Sequence, residues 1–400
     1  MISKALFTTR NILCKNIRKF SGAQVISPLD GRYASKVSDL ADIFSEKGLM
    51  RYRVNVEIEW LKNLINEKIA PLPNSHSREE LFSLLDNIKK VSSYYEEIKE
   101  IEAVTNHDVK AVEYFIKNHM RDQSALSGLL EYVHFTCTSE DINNVSYALC
   151  LHEAKTLIMD RSMNGIVDLL AEKAVEYKDS AMMARTHGQP ATPTTMGKEM
   201  ANFAYRLHNV QRLNKDLKFA AKLNGATGNY NAHILVHGEY DWPNVSKRFI
   251  DGLGLEWNPY STQIESHDSM CEYFRNISAY NTILLGLTKD MWHYISLGYF
   301  KQKVVSTEVG SSTMPHKVNP IMFENAEGNL GIANSLYDHF ATKLPISRYQ
   351  RDLSDSTVLR NIGVAFGHSK LAFDSFNGGF GRLDINQQCL NEELDDHWEL

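Results

Sequence analysis

Residues 138–177 read T-S-E-D-I-N-N-V-S-Y-A-L-C-L-H-E-A-K-T-L-I-M-D-R-S-M-N-G-I-V-D-L-L-A-E-K-A-V-E-Y. From about Asn143 to Tyr177 there are few helix breakers. Tyr147, Leu151, Ala154, Leu157, Ile158, Ile166, Leu169 and Leu170 fall at the spacing of one helical face. A helix of some 30 residues is ~45 Å long at its ordinary rise, which exceeds the diameter of a small domain. Such a helix buries its stripe in a bundle, and one this long suits a bundle assembled between subunits.

Working outward, the same period recurs. It predicts helices over about 41–68, 78–102, 109–120, 195–223, 242–253, 268–300, 320–342 and 355–376, with another starting near Asn391. Thr105 or Asp108 is placed to cap the 109–120 helix, and Asn319 with Pro320 to cap and open the 320–342 helix. Alternating β patterns are almost absent, so the expected fold is all-α. Residues 185–193 and 224–240 read as irregular loops.

Two polar stretches carry the chemistry. The first, Ser306 to Glu327, reads S-T-E-V-G-S-S-T-M-P-H-K-V-N-P-I-M-F-E-N-A-E and has no acid between Glu308 and Glu324. Hydroxyls, Lys317 and a following helix N-terminus make it a place for a carboxylate. The second, Arg185 to Pro193, carries His187, and an imidazole titrating near neutrality suits a general acid or base. Taken alone, Ser311 reads as a loop serine and His187 as a histidine satisfying backbone carbonyls.

The run G-S-S-T-M-P-H-K-V-N-P at 310–320 resembles the signature of the fumarase/aspartase superfamily. His316 points within it to the adenylosuccinate lyase branch or its cycloisomerase relatives, and together with the matches that follow it looks like the bacterial type of that branch. Further matches are S-P-L-D-G-R-Y at 27–33, T-N-H-D-V-K-A-V-E at 105–113, T-S-E-D-I-N-N at 138–144, R-T-H-G-Q-P-A-T-P at 185–193 and R-Y-Q-R-D-L-S-D-S-T-V-L-R at 348–360. The resemblance runs from about Val25 to the last residue.

It implies a β-elimination that releases fumarate from adenylosuccinate, giving AMP, and from the succinyl-aminoimidazole-carboxamide ribotide, giving the carboxamide ribotide. In that scheme Ser311 is the general base at the succinyl carbon and His187 the general acid at the departing nitrogen. Ser312, Lys317, Asn319 and the loop amides would stabilise the charge that spreads into a carboxylate. Arg32 and Tyr33 would meet the phosphate or its ribose. Arg351 and the run Ser356, Thr357, Val358, Leu359 and Arg360 would meet the nucleotide phosphate, a task suited to the arginine fork. Asn106, His107 and Asp108 would orient substrate, Thr138 and Ser139 would hold a succinyl carboxylate, and Gln263 and Asn325 would complete the pocket. No metal or redox cofactor is expected. The implied assembly is a homotetramer whose sites draw on three subunits.

The implied domains are a tail at 1–22, an N-terminal helical domain at 23–130, a central bundle at 131–385, and the start of a C-terminal helical domain, apparently truncated, at 386–400. The alternatives are another fumarate-releasing lyase, a carboxymuconate cycloisomerase, or an inactive helical scaffold. The Asp355–Arg360 run with Arg32 favours a nucleotide over the cycloisomerase's substrate, which needs no phosphate site.

Composition excludes other classes. A net charge of −6 provides no general basic footprint for nucleic acid, and no apolar run approaches a membrane span. The five scattered cysteines, Cys14, Cys137, Cys150, Cys271 and Cys389, form no metal-ligand spacing and suit a reducing compartment. The first 22 residues carry Lys4, Arg10, Lys15, Arg18 and Lys19, with no acid before Asp30. That pattern predicts a mitochondrial transit peptide, with a basic tail on a cytoplasmic protein as the alternative.

Overall fold

The computed structural model describes residues 25–73, 76–303 and 318–400. The chain divides into two units, residues 1–38 and 39–400. The described part of the first holds a single 3₁₀ turn, Ala34–Lys36. There the Arg32 guanidinium carbon lies 5.7 Å from the centre of the Tyr33 ring.

From the boundary onward, α1 (Ser38–Phe44) and α2 (Glu46–Asn66) meet at Ser45. The Ser45 hydroxyl accepts the Gly48 N–H at 3.0 Å, which ends one helix and starts the next inside the expected 41–68 span. The single helix expected over 78–102 is two, α3 (Arg78–Lys89) and α4 (Tyr94–Thr105). At the end of α3 the Lys90 N–H turns back to Asn87 and Ile88, and β-branched Val91 with two serines does not resume the helix at once. The helix α5 (Asp108–Arg121) is capped by neither expected residue but by His107, whose Nδ1 accepts the Lys110 N–H at 3.1 Å.

The long stretch forms α6 (Ser139–Ala154), a π turn at Lys155–Met159, and α7 (Asp160–Glu176). The rod is therefore helical throughout but widened once, with Lys155 reaching Asp160 at 2.8 Å across the wide turn.

The 185–193 loop is instead the tip of an antiparallel hairpin, β1 (Ala181–Thr186) and β2 (Gln189–Thr195). His187 and Gly188 form its two-residue turn, with φ of 54° and 76°. Two positive φ values in succession match the right-handed strand twist, and glycine adopts that backbone freely while histidine does not. Next comes α8 (Met196–Asn214). Its start packs so closely on the end of α7 that a Cβ at Gly197 would lie 2.4 Å from the Ala174 carbonyl. The helix expected to reach Leu223 stops at Asn214, because the chain then straightens into β3 (Ala220–Ala221) and carries Lys222 into the core.

After α9 (Asn231–His237) and α10 (Trp242–Gly252), β4 (Glu256–Trp257) pairs in parallel with β3. The rest comprises α11 (Asp268–Ser296), β5 (Phe300–Gln302), α12 (Ile321–Lys343), α13 (Ser354–Leu359), α14 (Ile362–Phe380), β6 (Leu383–Ile385) and α15 (Gln387–Asp395). Pro320, rather than Asn319, occupies the N-cap of α12. The core of the second unit runs between α11, α12 and α14. Phe274 stacks on Tyr337 with ring centres 5.8 Å apart and meets Phe340 edge-on at 5.5 Å, a geometry aromatic quadrupoles favour. The ribbons are short and the architecture is helical, in agreement with the expected class. The basic tail and the stretch holding Ser311, Ser312, His316 and Lys317 lie outside the described residues.

Candidate active site

The site starts from a buried ion pair. Asp141, in the first turn of α6, lies 2.8 Å from the Lys222 Nζ, and neither side chain is exposed. A buried pair is tolerated when the remaining lone pairs are also satisfied. Asp141 therefore accepts the N–H groups of Thr138 (2.8 Å), Asn224 (3.1 Å) and Gly225 (3.1 Å) as well. Lys222 donates to the Gly225 carbonyl at 3.1 Å. This network fixes where Thr138 and Ser139 enter α6.

Beside them opens a cavity of about 460 Å³. It is lined by Arg53, His107, Asp108, Thr138, Ser139, Glu140, Asn143, Tyr147, Gln263, Arg351, Leu353, Ser356, Thr357, Leu359 and Arg360. Three arginines meet two acids in it. Arg351 pairs with Glu140 at 3.2 Å, donates to the Gln263 side-chain oxygen at 3.2 Å, and reaches the Ser356 hydroxyl at 3.5 Å. Burial pushes the Glu140 carboxyl up, and the Arg351 charge works against it. Arg53 pairs with Asp108 at 2.9 Å and donates to Asn143 at 2.9 Å, while Arg360, largely exposed, stands 3.6 Å from Asp108. Burial alone would raise the Asp108 carboxyl. The Arg53 charge, the Val109 N–H and Arg360 together hold it below its ordinary value. Buried Asp355 behaves alike: burial opposes ionisation, and His267, 3.7 Å away, with the Ser356 N–H at 2.7 Å brings its carboxyl below the usual range. An arginine loosely held by a carboxylate at a cavity mouth is a ready partner for a phosphate or carboxylate.

Ten residues expected from sequence thus line one cavity: His107, Asp108, Thr138, Ser139, Gln263, Arg351, Ser356, Thr357, Leu359 and Arg360. Asn106 precedes them as the exposed, left-handed C-cap of α4, with φ 52°. Val358 packs toward the core instead of lining the cavity. Asn325 stands on α12, its side-chain oxygen engaged by Ser375 (2.7 Å) and Asn329 (3.2 Å). Half-buried Asn319 stands one residue before the Pro320 N-cap of α12. His187 sits exposed at the hairpin tip and does not line the cavity. Arg32 and Tyr33 belong to the first unit.

Sequence reasoning missed Arg53, Glu140, Asn143, Tyr147 and Leu353. Glu140, Asn143 and Tyr147 share one face of α6 at steps of three and four, and Arg53 falls on an apolar stripe of α2, four residues after Leu49 and three before Val56. A charge at a buried helical position was the available signal. Among the described residues, no group of three or more His, Cys, Asp or Glu is arranged to hold a metal ion, and no helix is long and apolar enough to cross a membrane.

Comparison with known proteins bears on this site. The sequence matches the family described as Lyase over residues 31–333 and the adenylosuccinate lyase C-terminal family over residues 347–400. It is 48% identical over 386 residues to the adenylosuccinate lyase of Vibrio cholerae, covering 96% of this chain and 84% of that one. It is 49% identical over 387 residues to that of Escherichia coli, with the same shares covered. In fold it resembles β-carboxy-cis,cis-muconate cycloisomerase from Acinetobacter calcoaceticus (TM-score 0.72, 15% identity, 91% of this chain and 80% of that one). A fumarate lyase from Mesorhizobium is similar to the same degree (TM-score 0.72, 17% identity, 90% and 78%). These relatives correct the expectation of mitochondrial import: the two enzymes, like the similar one of Buchnera aphidicola, come from bacteria, which have no such organelle. With both family matches in chain order and nearly half of its residues shared with these enzymes, the chain belongs to the adenylosuccinate lyase family, among the lyases of the fumarase/aspartase superfamily.

Proposed function

We propose that the protein cleaves adenylosuccinate to AMP and fumarate, and the succinyl-aminoimidazole-carboxamide ribotide to its carboxamide and fumarate. Ser311 removes the proton beside a succinyl carboxylate. The electron pair forms the double bond of fumarate as the C–N bond breaks, and His187 protonates the departing nitrogen. Lys317, Ser312 and Asn319 steady the negative charge that builds in the carboxylate. Arg351, Ser356, Thr357 and Arg360 hold the phosphate, with Arg32 and Tyr33. Asn106, His107 and Asp108 orient the substrate, Thr138 and Ser139 hold a carboxylate, and Gln263 and Asn325 complete the pocket.

The observation that carries this reading is the convergence of ten such residues, from four separate stretches of chain, on one arginine-lined cavity. His187 stands elsewhere, on an exposed turn, which fits a site shared between subunits. Leu157, Val175, Tyr205, Leu213 and Ile332 are exposed on the long helices. Apolar residues in such positions suit a homotetramer built around a helical bundle. In this reading residues 23–130, 131–385 and 386–400 belong to three domains, and an isolated subunit is inactive.

The test is an absorbance assay of the purified protein with adenylosuccinate, the succinyl ribotide, argininosuccinate and carboxymuconate. Turnover of the first two alone is expected. Turnover of argininosuccinate or carboxymuconate instead, or of none, overturns the reading.

A further inference from the structure

The turn bearing His187 is held from an unexpected direction. Met182 and Met183 anchor the base of the hairpin in the core, but the tip stands beside a cavity of about 480 Å³ between it and α11. Packing on that side does not fix the turn. A chain of polar contacts does. Glu393, on α15, accepts hydrogen bonds on both carboxylate oxygens: Arg185 of β1 donates to Oε1 and the Tyr299 hydroxyl to Oε2. The other guanidinium arm of Arg185 reaches across the turn to the Gly188 carbonyl at 3.4 Å. Tyr299 is itself fully buried, and its phenol is pushed up to about 12 by burial and by the Glu393 carboxylate. The helix carrying Glu393 is not free to drift. β6 pairs with β5, and Asn386 ties its start to the Tyr299 carbonyl (2.8 Å, backbone) and the Gly298 carbonyl (2.9 Å, side chain).

We propose that Glu393 is a positioning residue for the lyase reaction: through Arg185 it sets the His187–Gly188 turn, and Tyr299 sets Glu393. This rests on the reading of His187 as the general acid. A histidine at positive φ is an uncommon, strained conformation that persists only where its surroundings over-determine it. The Glu393–Arg185–Gly188 chain supplies that constraint. Loss of the carboxylate frees Arg185 and lets the turn relax. Proton delivery to nitrogen then fails while the phosphate-binding cavity, built from other elements, keeps its affinity.

The test uses the full chain with Glu393→Ala, Glu393→Gln, His187→Ala and the double variant His187→Ala/Glu393→Ala. Glu393→Ala is expected to lower kcat by about 10- to 100-fold, the scale of a misplaced catalytic group, with KM changed by less than about threefold. Glu393→Gln, which keeps an acceptor for Tyr299 but loses the charge facing Arg185, is expected to fall between Glu393→Ala and the wild type. If Glu393→Ala does not fold, Glu393→Gln decides alone. In the His187→Ala background, removing Glu393 is expected to cost nothing further in single-turnover rate, because a residue acting through another is not additive with it. Wild-type kcat in the folded Glu393 variants, a loss seen only in KM, or full additivity in the double variant overturns the proposal. If His187→Ala is crippled while the Glu393 variants are normal, the positioning role alone falls. If His187→Ala turns over like the wild type, the proposed role of His187 falls, and this inference with it.

Discussion

The arginine-lined cavity and the His187 hairpin are built on opposite plans. In the cavity each charge is matched: Arg351 by Glu140, Arg53 by Asp108, and Lys222 by Asp141 beneath the floor. Burial and pairing pull the acids in different directions, and the geometry is over-determined from several elements. The hairpin tip is exposed, strained, and steered through one guanidinium. A surface that binds substrate as proposed has to be stiff beforehand, and residues on helix starts and in ion-pair networks meet that need. In the proposed reaction the proton donor meets a nitrogen held by another subunit, a task that a projecting turn suits. The difference teaches that binding and chemistry should be separable by mutation.

The largest effect expected is on stability. Lys222→Ala leaves Asp141 buried and uncompensated, which costs about 3–5 kcal/mol. Urea unfolding checks it, and a loss below 1 kcal/mol would mean that the floor of the cavity relaxes at little cost. Next come Ser311→Ala and His187→Ala, each expected to lower kcat by at least ~10²-fold, the scale of general acid–base catalysis. Because His187 is exposed, its variant should melt with the wild type. A large drop in Tm would make the hairpin as structural as the cavity and erase the contrast. Arg351→Ala is expected to raise KM by roughly 10-fold or more, as loss of a charged hydrogen bond worth ~1.5–3 kcal/mol implies. It also strands Glu140. Adding Glu140→Gln should restore Tm but not KM, and recovery of both would remove Arg351 from substrate binding.

Much of this was legible beforehand, and the gaps have physical causes. Helical periodicity located the elements because an apolar stripe is a one-dimensional pattern. It failed where a tertiary contact outweighed the stripe. The helix expected to Leu223 yields to the burial of Lys222 against Asp141, partners 81 positions apart that no local pattern links. The hairpin escaped notice because its strands carry Pro190 and Pro193 and no clean alternation, and because the turn uses histidine where Asn-Gly is usual. Nine of the ten cavity residues were found through short motifs at helix starts and in loops, and Gln263 lies in none of those motifs. Arg53 and Tyr147 lie outside those motifs at positions that read as core, and Glu140 lies inside the 138–144 motif without a role having been read from it.

The smallest effect belongs to the segment that leads into the cavity. His134 and Thr136 hold φ of 61° and 59° just before Thr138, and the His134 Nδ1 lies 2.6 Å from the buried Glu57 carboxylate. Burial by itself disfavours the imidazolium. The Glu57 charge and hydrogen bond, with Glu113 and Asp141 in the same field, outweigh it and raise the His134 pKa. A group whose folded pKa is raised contributes stability that is fully present below its unfolded value, ~6.5 for histidine, and is lost as pH rises through the folded value. Stability should therefore decline from about pH 6.5 upward, and His134→Gln should flatten that slope. Urea midpoints taken across this range measure it. The hairpin takes no part in this pair, so kcat of His134→Gln should keep the wild-type pH profile while KM drifts with the loop. A changed kcat profile with unchanged KM would show the two regions coupled after all.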